Sequence, residues 1–222
     1  MSREPTLGPN ALAGKKVAVI VESQYIPPEI SIYQTRFAGY GASVDLVSRL
    51  WGQTTAHFYS TIEPGVVECP YQTLDVMKDF AAVKPSDYDA IIVAANYVSV
   101  RLRWSEREDI DSGNAAEVVR TPPAVEFFRA AMEDPRVIKG AACHGLWLLT
   151  PCPEVLRGRK VICNKVVLAD VINAGAIYTP CPAGTSDEEH VVVDGDLVTN
   201  DSWHATEAFV DAIAGLVGAP HA

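Results

Sequence analysis

The chain has 222 residues, of which 48% are hydrophobic and 21% charged, as in ordinary globular domains that bury a sizeable core. Its formal net charge of −10 and pI near 4.9 argue against nucleic acid or an anionic membrane as a partner. No apolar run reaches the length of about 18 residues needed to cross a membrane. We therefore predict a single domain over residues 1–222 that binds neither membranes nor nucleic acid.

The N-terminal stretch and the cysteines indicate the compartment and the cofactors of the protein. Residues 1–14 are polar and contain two prolines without an apolar core, which predicts a loose tail rather than a signal peptide. The five cysteines are odd in number and include no Cys-x-x-Cys pair, which favours reduced thiols in a cytoplasmic protein. With no zinc-type spacing and no glycine-rich phosphate loop, no metal or organic cofactor is expected.

The first half of the chain alternates apolar runs with helical patterns. The continuous β-branched run at 16–21 predicts a central parallel strand that is buried on both faces, and further strands are predicted at 43–47 and 90–94. After the first of them, Pro28 opens a predicted helix that reaches Phe37 and is stopped by Gly39.

Two segments of this half are less regular. Residues 48–84 show no sustained period, so we expect an irregular excursion with a strand over 56–62 and one short helix near 74–80. The charged residues 105–114 are expected to form a surface insertion.

The second half repeats the alternation. We predict strands at 137–142, 160–163 and 176–178, a hairpin over 191–199, and helices at 124–132, 146–149, 166–173 and 203–217. Strands that alternate with helices indicate an α/β fold with an open, mostly parallel sheet covered on both faces.

The segment 137–149, V-I-K-G-A-A-C-H-G-L-W-L-L, is the most informative part of the sequence. Its apolar strand ends at Cys143, a helical pattern follows at once, and small residues lie two positions to either side, at Ala141 and Gly145. This spacing is typical of a strand-to-helix elbow, which holds a nucleophile in a strained conformation at the start of a helix. We expect the helix to favour the thiolate of a reactive Cys143. The alternative is a buried, inert cysteine after a core strand.

Polar residues follow several of the predicted strands. In open α/β sheets, ligands bind at the carboxyl ends of the strands. Glu22 or Glu29, Asn96, Cys143, and the run Ser202-Trp203-His204 all lie at that edge in this interpretation. The sequence therefore predicts a pocket for a small-molecule substrate there.

Four motifs in this order resemble the DJ-1/PfpI superfamily: A-A-C-H-G-L-W-L-L, L-R-G-R-K-V, D-V-I-N-A-G-A and V-V-V-D-G-D-L-V-T. The C-H-G form is that of its PfpI-like branch, within the class I glutamine amidotransferase-like fold. The resemblance implies a flavodoxin-like three-layer sandwich and Cys143 as the nucleophile. It also implies that Glu29, at the start of the first helix, hydrogen-bonds the sulfur, and that the protein is a homodimer or larger homo-oligomer. Without the resemblance, Glu29 is a plain acid at a helix N-terminus.

The segment around Asn96 departs from the PfpI-like pattern, and this changes what is expected of His144. In PfpI-like proteins the histidine after the cysteine completes a triad with an acid from a neighbouring subunit, just after a Gly-Gly that follows the third strand. Here residues 95–100 read A-N-Y-V-S-V, with neither the glycines nor an acid. We expect the side chain of Asn96 to supply an oxyanion donor instead, the alternative being a simple loop asparagine.

His204 is a second candidate base. It follows Trp203, and Glu207 lies one helical turn further on. We place Trp203 and His204 in the pocket with Asn96 and Gly145, the alternative being that Trp203 caps the core and His204 faces solvent.

Three functions follow from the resemblance. The first is a cysteine-dependent enzyme acting on small reactive carbonyl compounds, glyoxalase III-like or deglycase-like, in which Glu29 moves the protons. The second is a cysteine hydrolase, amidase, peptidase or isonitrile hydratase of the PfpI type. The third is a non-enzymatic stress sensor or chaperone, in which Cys143 is oxidised to a sulfinate stabilised by Glu29.

Overall fold

The structure is a computed structural model that describes residues 3–61 and 71–219, except for the side chains of 107 and 112. Its strands are β1 (Lys16–Ile20), β2 (Ser43–Ser48), β3 (Ala56–Tyr59), β4 (Thr73–Val76), β5 (Lys78–Asp79), β6 (Ala90–Val93), β7 (Ile138–Ala142), β8 (Lys160–Val161), β9 (Ile177–Tyr178), β10 (Val191–Asp194) and β11 (Leu197–Asn200). Its α-helices are α1 (Pro27–Gly39), α2 (Val98–Leu102), α3 (Arg107–Ser112), α4 (Ala115–Val118), α5 (Pro123–Glu133), α6 (Pro153–Leu156), α7 (Leu168–Asn173) and α8 (Thr206–Gly218).

The central sheet has seven strands in the order β10-β11-β7-β6-β1-β2-β5. All neighbours are parallel except β10, which pairs antiparallel with β11 in the predicted hairpin. The α/β class and the flavodoxin-like, mostly parallel architecture are therefore confirmed. The carboxyl ends of β1, β6 and β7 come together at one edge of the sheet.

Helices cover the sheet in two groups. Helix α1 packs on α8, and α8 packs on β7 and β11. Helix α5 packs instead on the short 3₁₀ helices, including Gly145–Leu149. The close approach of α8 depends on Gly140, because a Cβ there would come within 2.8 Å of both Phe209 and Ile213. The other five α-helices of the described residues have six residues or fewer each.

The prediction of a helix near 74–80 is wrong. This stretch contains β4, β5 and the start of a 3₁₀ helix at Phe80–Ala82. Strand β4 pairs antiparallel with β3, which occupies part of the strand predicted over 56–62. Residues 62–70 lie outside the described residues. Pairing with a distant strand therefore overrides a local sequence that is compatible with a helix.

The N-terminal segment is docked rather than loose. Leu12 is buried, and its backbone N–H donates to the carbonyl of Tyr40 at 2.7 Å. Arg36 donates to the carbonyls of Arg3 and Glu4 at 2.9 and 3.1 Å. These contacts join the described N-terminal residues to the last turns of α1, so the expected loose tail is corrected.

The remaining predictions differ mainly at their boundaries. The helix predicted at 146–149 is a 3₁₀ helix over Gly145–Leu149. The expected insertion at 105–114 contains α3 and ends just before α4. Strands β8 and β9 pair with each other in a separate two-stranded sheet. In the described part of the chain, no helix is both long and apolar enough to cross a membrane.

Candidate active site

Cys143 lies at the sharp elbow that the sequence predicts. It follows β7 directly and has a φ of +55°, a left-handed conformation that is strained for a residue with a side chain. The turn is tight because a Cβ on Gly145 would lie 3.3 Å from the Cβ of Ala141 and 3.2 Å from the carbonyl oxygen of Val93. Small residues at both positions are therefore needed for this geometry.

A residue that the sequence analysis missed, Asn200, fixes the elbow from the neighbouring strand. The backbone N–H of Cys143 lies 3.0 Å from both the main-chain oxygen and the side-chain Oδ1 of Asn200. The carbonyl of Cys143 accepts the N–H of Asn164 at 3.1 Å. Because β11 pairs beside β7, only the strand order reveals that Asn200 reaches the cysteine.

Glu29 is fully buried, at 0% exposed, in the first turn of α1. Its carboxylate accepts the hydroxyl of Tyr33 at 2.7 Å and the N–H of Ala95 at 2.9 Å. Burial raises the pKa of Glu29 from 4.5 to about 7, although both hydrogen bonds oppose the rise. The Glu-x-x-x-Tyr spacing places both side chains on one helix face, so the sequence already indicates that Tyr33 can reach Glu29.

The thiol of Cys143 is 8% exposed, and burial raises its pKa to about 12. The negative charge of Glu29 raises this pKa further, which shows that the two groups interact. The expectation that the helix favours a resting thiolate is therefore wrong: desolvation dominates, and the following 3₁₀ helix has only five residues. The pair loses its first proton near neutral pH and retains the second.

Two backbone N–H groups point at the sulfur and partly offset the rise in its pKa; they belong to Asn96 and His144. Asn96 has a φ of +63°, in the left-handed region where asparagine is one of the better-tolerated residues after glycine. Its side-chain Nδ2 donates to the carbonyl of Gln24 at 2.7 Å, so the expectation of a side-chain donor to the pocket is corrected. The donor is the main chain, and no glycine pair is needed to present it.

His144 is buried, and its Nδ1 lies 2.9 Å from the carbonyl oxygen of Asn96. Because a carbonyl oxygen only accepts, this hydrogen bond places a proton on Nδ1 and leaves Nε2 as the basic nitrogen of the neutral ring. The ring also lies against Tyr97 and Trp147, with centroids 5.4 and 6.2 Å away. The main chain thus orients the imidazole.

The structure does not bring His204 to this group. His204 is exposed, its ring lies 4.2 Å from that of half-buried Trp203, and both residues line a separate surface cavity with Arg3 and Glu207. Within the described residues, no hydrogen bond joins His204 to Cys143 or its partners. The sequence places both residues at the right sheet edge but does not show that their side chains turn away from the thiol.

Comparison with known proteins agrees with this geometry. Residues 112–215, which include the elbow and β11, match the model of the DJ-1/PfpI family. The predicted resemblance to that superfamily is confirmed, and Glu29, which precedes the matched segment, joins the site through the fold.

Two curated relatives extend the similarity to most of the chain. The chain is 27% identical over 206 residues to the Escherichia coli protein named protein/nucleic acid deglycase 2, covering 92% of this chain and 99% of the relative. It is 24% identical over 195 residues to the putative cysteine protease YraA of Bacillus subtilis, covering 88% and 94% respectively.

A solved structure shows the same fold. The chain superposes with a TM-score of 0.68 and 22% identity on a two-domain protein from Anabaena variabilis that contains DJ-1/ThiJ/PfpI-like and ferritin-like domains. The match covers 92% of this chain and spans 48% of that larger protein.

Proposed function

We propose that this chain is a cysteine-dependent enzyme that acts on small reactive carbonyl compounds, in the manner of a glyoxalase or a deglycase. The observation that carries the proposal is the buried Glu29 carboxyl, whose pKa is raised to about 7 and whose charge acts on the Cys143 thiol. A base with this pKa is half ionised near neutral pH, which is optimal for transferring a proton in both directions. The relative named as a deglycase supports the same chemistry.

In the first step, the Glu29 carboxylate accepts the thiol proton while the Cys143 sulfur attacks the aldehyde carbon of the substrate. The C–S bond forms, and the electron pair of the carbonyl moves to its oxygen. Glu29 then returns the proton to that oxygen, which gives a hemithioacetal. The backbone N–H groups of Asn96 and His144 already point at the sulfur, so they are within reach of an alkoxide on the adjacent carbon.

With methylglyoxal, the remaining steps require only proton transfers and water. A proton removed from the former aldehyde carbon is delivered to the neighbouring carbonyl carbon, and the hydroxyl proton of the hemithioacetal moves to the oxygen of that carbonyl. These two transfers convert the hemithioacetal to a lactoyl thioester. Hydrolysis of the thioester releases lactate and restores the thiol. One molecule of methylglyoxal and one of water give one of lactate, because one carbon is oxidised while its neighbour is reduced.

The test is the loss of methylglyoxal together with the appearance of lactate. We expect Cys143→Ser to abolish turnover and Glu29→Gln to lower it by roughly 10²-fold or more, the scale of one acid–base group. Cys181→Ser, at a half-buried thiol outside the site, is the matched control and retains activity. His144→Ala and His204→Ala should each cost less than Glu29→Gln. Near-full turnover of Glu29→Gln combined with an inactive His144→Ala would reject this mechanism.

A cysteine hydrolase is the second candidate, and two observations favour it. The main-chain N–H groups at the sulfur are donors of the kind that stabilise an acyl-transfer intermediate, and His144 is held in the tautomer whose Nε2 accepts a proton. The relative named as a putative cysteine protease points the same way. Release of a chromophore from amide or peptide substrates, lost in both Cys143→Ser and His144→Ala, distinguishes this function.

A further inference from the structure

A cavity of about 670 Å³ lies beside the C-terminal end of the 3₁₀ helix Gly145–Leu149, whose other end adjoins Cys143. A 3₁₀ helix rises about 2 Å per residue, so its length separates the cavity from the thiol by about 10 Å. The polar part of its wall comes from Arg103, Ser105, Thr150, Asp170 and Asn173. We call it the Arg103 cavity; neither Cys143 nor Glu29 lines it.

Arg103 is held in place on one side only. Its Nη1 donates to the carbonyl of Trp147 at 3.2 Å and to the hydroxyl of Thr150 at 3.1 Å. The guanidinium carbon lies 4.5 Å from the centre of the Trp147 ring, so the group is stacked as well as hydrogen-bonded. Across residues 3–61 and 71–219, the Nε–H and Nη2–H of Arg103 donate to no protein group. A half-buried arginine therefore keeps one edge of its guanidinium available.

Two other arginines of the chain show what that edge binds. Arg36 donates from Nε and Nη2 to the two carboxylate oxygens of Asp211 at 2.7 and 2.8 Å. Arg136 does the same to Asp134 at 3.0 and 2.7 Å. In both pairs the Nε–Nη2 edge holds a carboxylate through two parallel hydrogen bonds. The corresponding edge of Arg103 has the same donors, and none of the described residues supplies a carboxylate to it.

The charge and the walls of the cavity define the ligand further. Burial lowers the pKa of Arg103, and the charge of Asp170 opposes that change. Asp170 accepts the indole N–H of Trp147 at 2.6 Å, so it is a neighbouring charge rather than a direct partner of the guanidinium. Much of the remaining wall is apolar, with Trp104 at 56% exposed. The larger apolar residues are Val100, Trp104, Ile110, Val119, Pro151 and Pro153.

We propose that the Arg103 cavity binds a small organic carboxylate with an apolar body. The carboxylate is held by the Nε–Nη2 edge of Arg103, and the apolar body packs on Trp104 and the prolines. The fork geometry of arginine matches the two oxygens of a carboxylate, whereas a neutral amide presents only one acceptor. This site lies outside the Cys143 group and does not rest on the proposed function.

The probe is 3-phenylpropionate, compared with its neutral analogue 3-phenylpropionamide, and binding is measured by calorimetry with tryptophan fluorescence as a second signal. We expect saturable binding of the acid and at least tenfold weaker binding of the amide, since the charge-assisted pair is lost. Equal binding of the two probes would overturn the proposal, because the cavity would then recognise only the apolar body.

Four variants locate the site. Arg103→Gln should weaken the acid at least tenfold, whereas Asp170→Asn, which keeps an acceptor for Trp147, should tighten it by removing a nearby negative charge. Unfolding does not produce opposite shifts, so the pair controls for stability. Arg136→Gln, at an exposed arginine, and Cys143→Ser should both leave the affinity unchanged. Loss of binding in Cys143→Ser would assign the probe to the thiol site and reject the proposal, as would an unaffected Arg103→Gln.

Discussion

Replacing Glu29 by glutamine should change how the reactivity of Cys143 depends on pH. The glutamine keeps an oxygen that accepts from Tyr33 and Ala95, so the local fold is preserved. It removes the carboxylate that accepts the thiol proton. With a pKa of about 7, that carboxylate is about 10% ionised at pH 6 and about 90% at pH 8. The wild-type rate of alkylation should therefore rise about ninefold over this range and then level off.

In Glu29→Gln the thiol loses its proton to solvent alone. Burial still holds its pKa far above neutral, so the rate should rise about tenfold for each pH unit without levelling off below pH 9. Iodoacetamide labelling of the Cys143 peptide, followed by mass spectrometry from pH 5.5 to 9, measures both profiles. Glu126→Gln, at an exposed acid in the first turn of α5, is the matched control and keeps the wild-type profile. An inflection near pH 7 that survives in Glu29→Gln would refute the reasoning.

The Glu29 carboxyl should also make the stability of the folded protein depend on pH. Its contribution to stability falls as pH rises, whereas the alkylation rate of Cys143 increases. The pKa of this carboxyl is higher in the folded protein, so its contribution is complete below pH 4.5 and is lost as pH rises through about 7. At about 1.4 kcal/mol per pKa unit, the wild type should lose about 3 kcal/mol relative to Glu29→Gln across that window. Urea unfolding of both proteins at pH 4.5 and pH 8 gives the difference directly, and a constant difference would contradict the raised pKa.

Further predictions concern the surroundings of the thiol. Tyr33→Phe removes a hydrogen bond that lowers the pKa of Glu29, so the inflection in the alkylation profile should move above pH 7; Tyr88→Phe, whose hydroxyl contacts a different acid, should leave it in place. Gly145→Ala forces contacts of 3.2–3.3 Å and should cost about 1–3 kcal/mol in urea unfolding, whereas Gly215→Ala meets nothing within 4 Å and should be neutral or stabilising. We also expect at least a homodimer; a monomer at micromolar concentrations in sedimentation would reject this.

The sequence predicted those parts of the site that depend on local spacing. The strand, the cysteine and the small residues at Ala141 and Gly145 lie together in the chain, so their pattern indicates the elbow directly. Asn200 comes to Cys143 only through the pairing of β11 with β7, and no local pattern contains that contact. The left-handed φ of Asn96 was missed for a different reason: the absence of glycine suggested that the backbone donor was lost.

The error at 74–80 has the same physical origin. A stretch of seven residues contains too little periodic information to separate a helix from a strand, and β3, the partner of β4, is supplied from elsewhere in the chain. The pKa of Cys143 was misjudged because a helix N-terminus can be recognised in the sequence, whereas the depth of burial cannot. Where long-range packing sets the environment of a group, local sequence does not predict its charge.

Helix α1 contacts the N-terminal segment at one end and carries a residue of the candidate active site at the other. Its first turn carries Glu29, and Arg36 in its last turns donates to the carbonyls of Arg3 and Glu4. A helix of 13 residues is about 20 Å long, so the contacts of the N-terminal segment lie within one helix length of Glu29. Samples that differ only in an affinity tag or in trimming before Gly8 should therefore be assayed side by side before their activities are treated as equivalent.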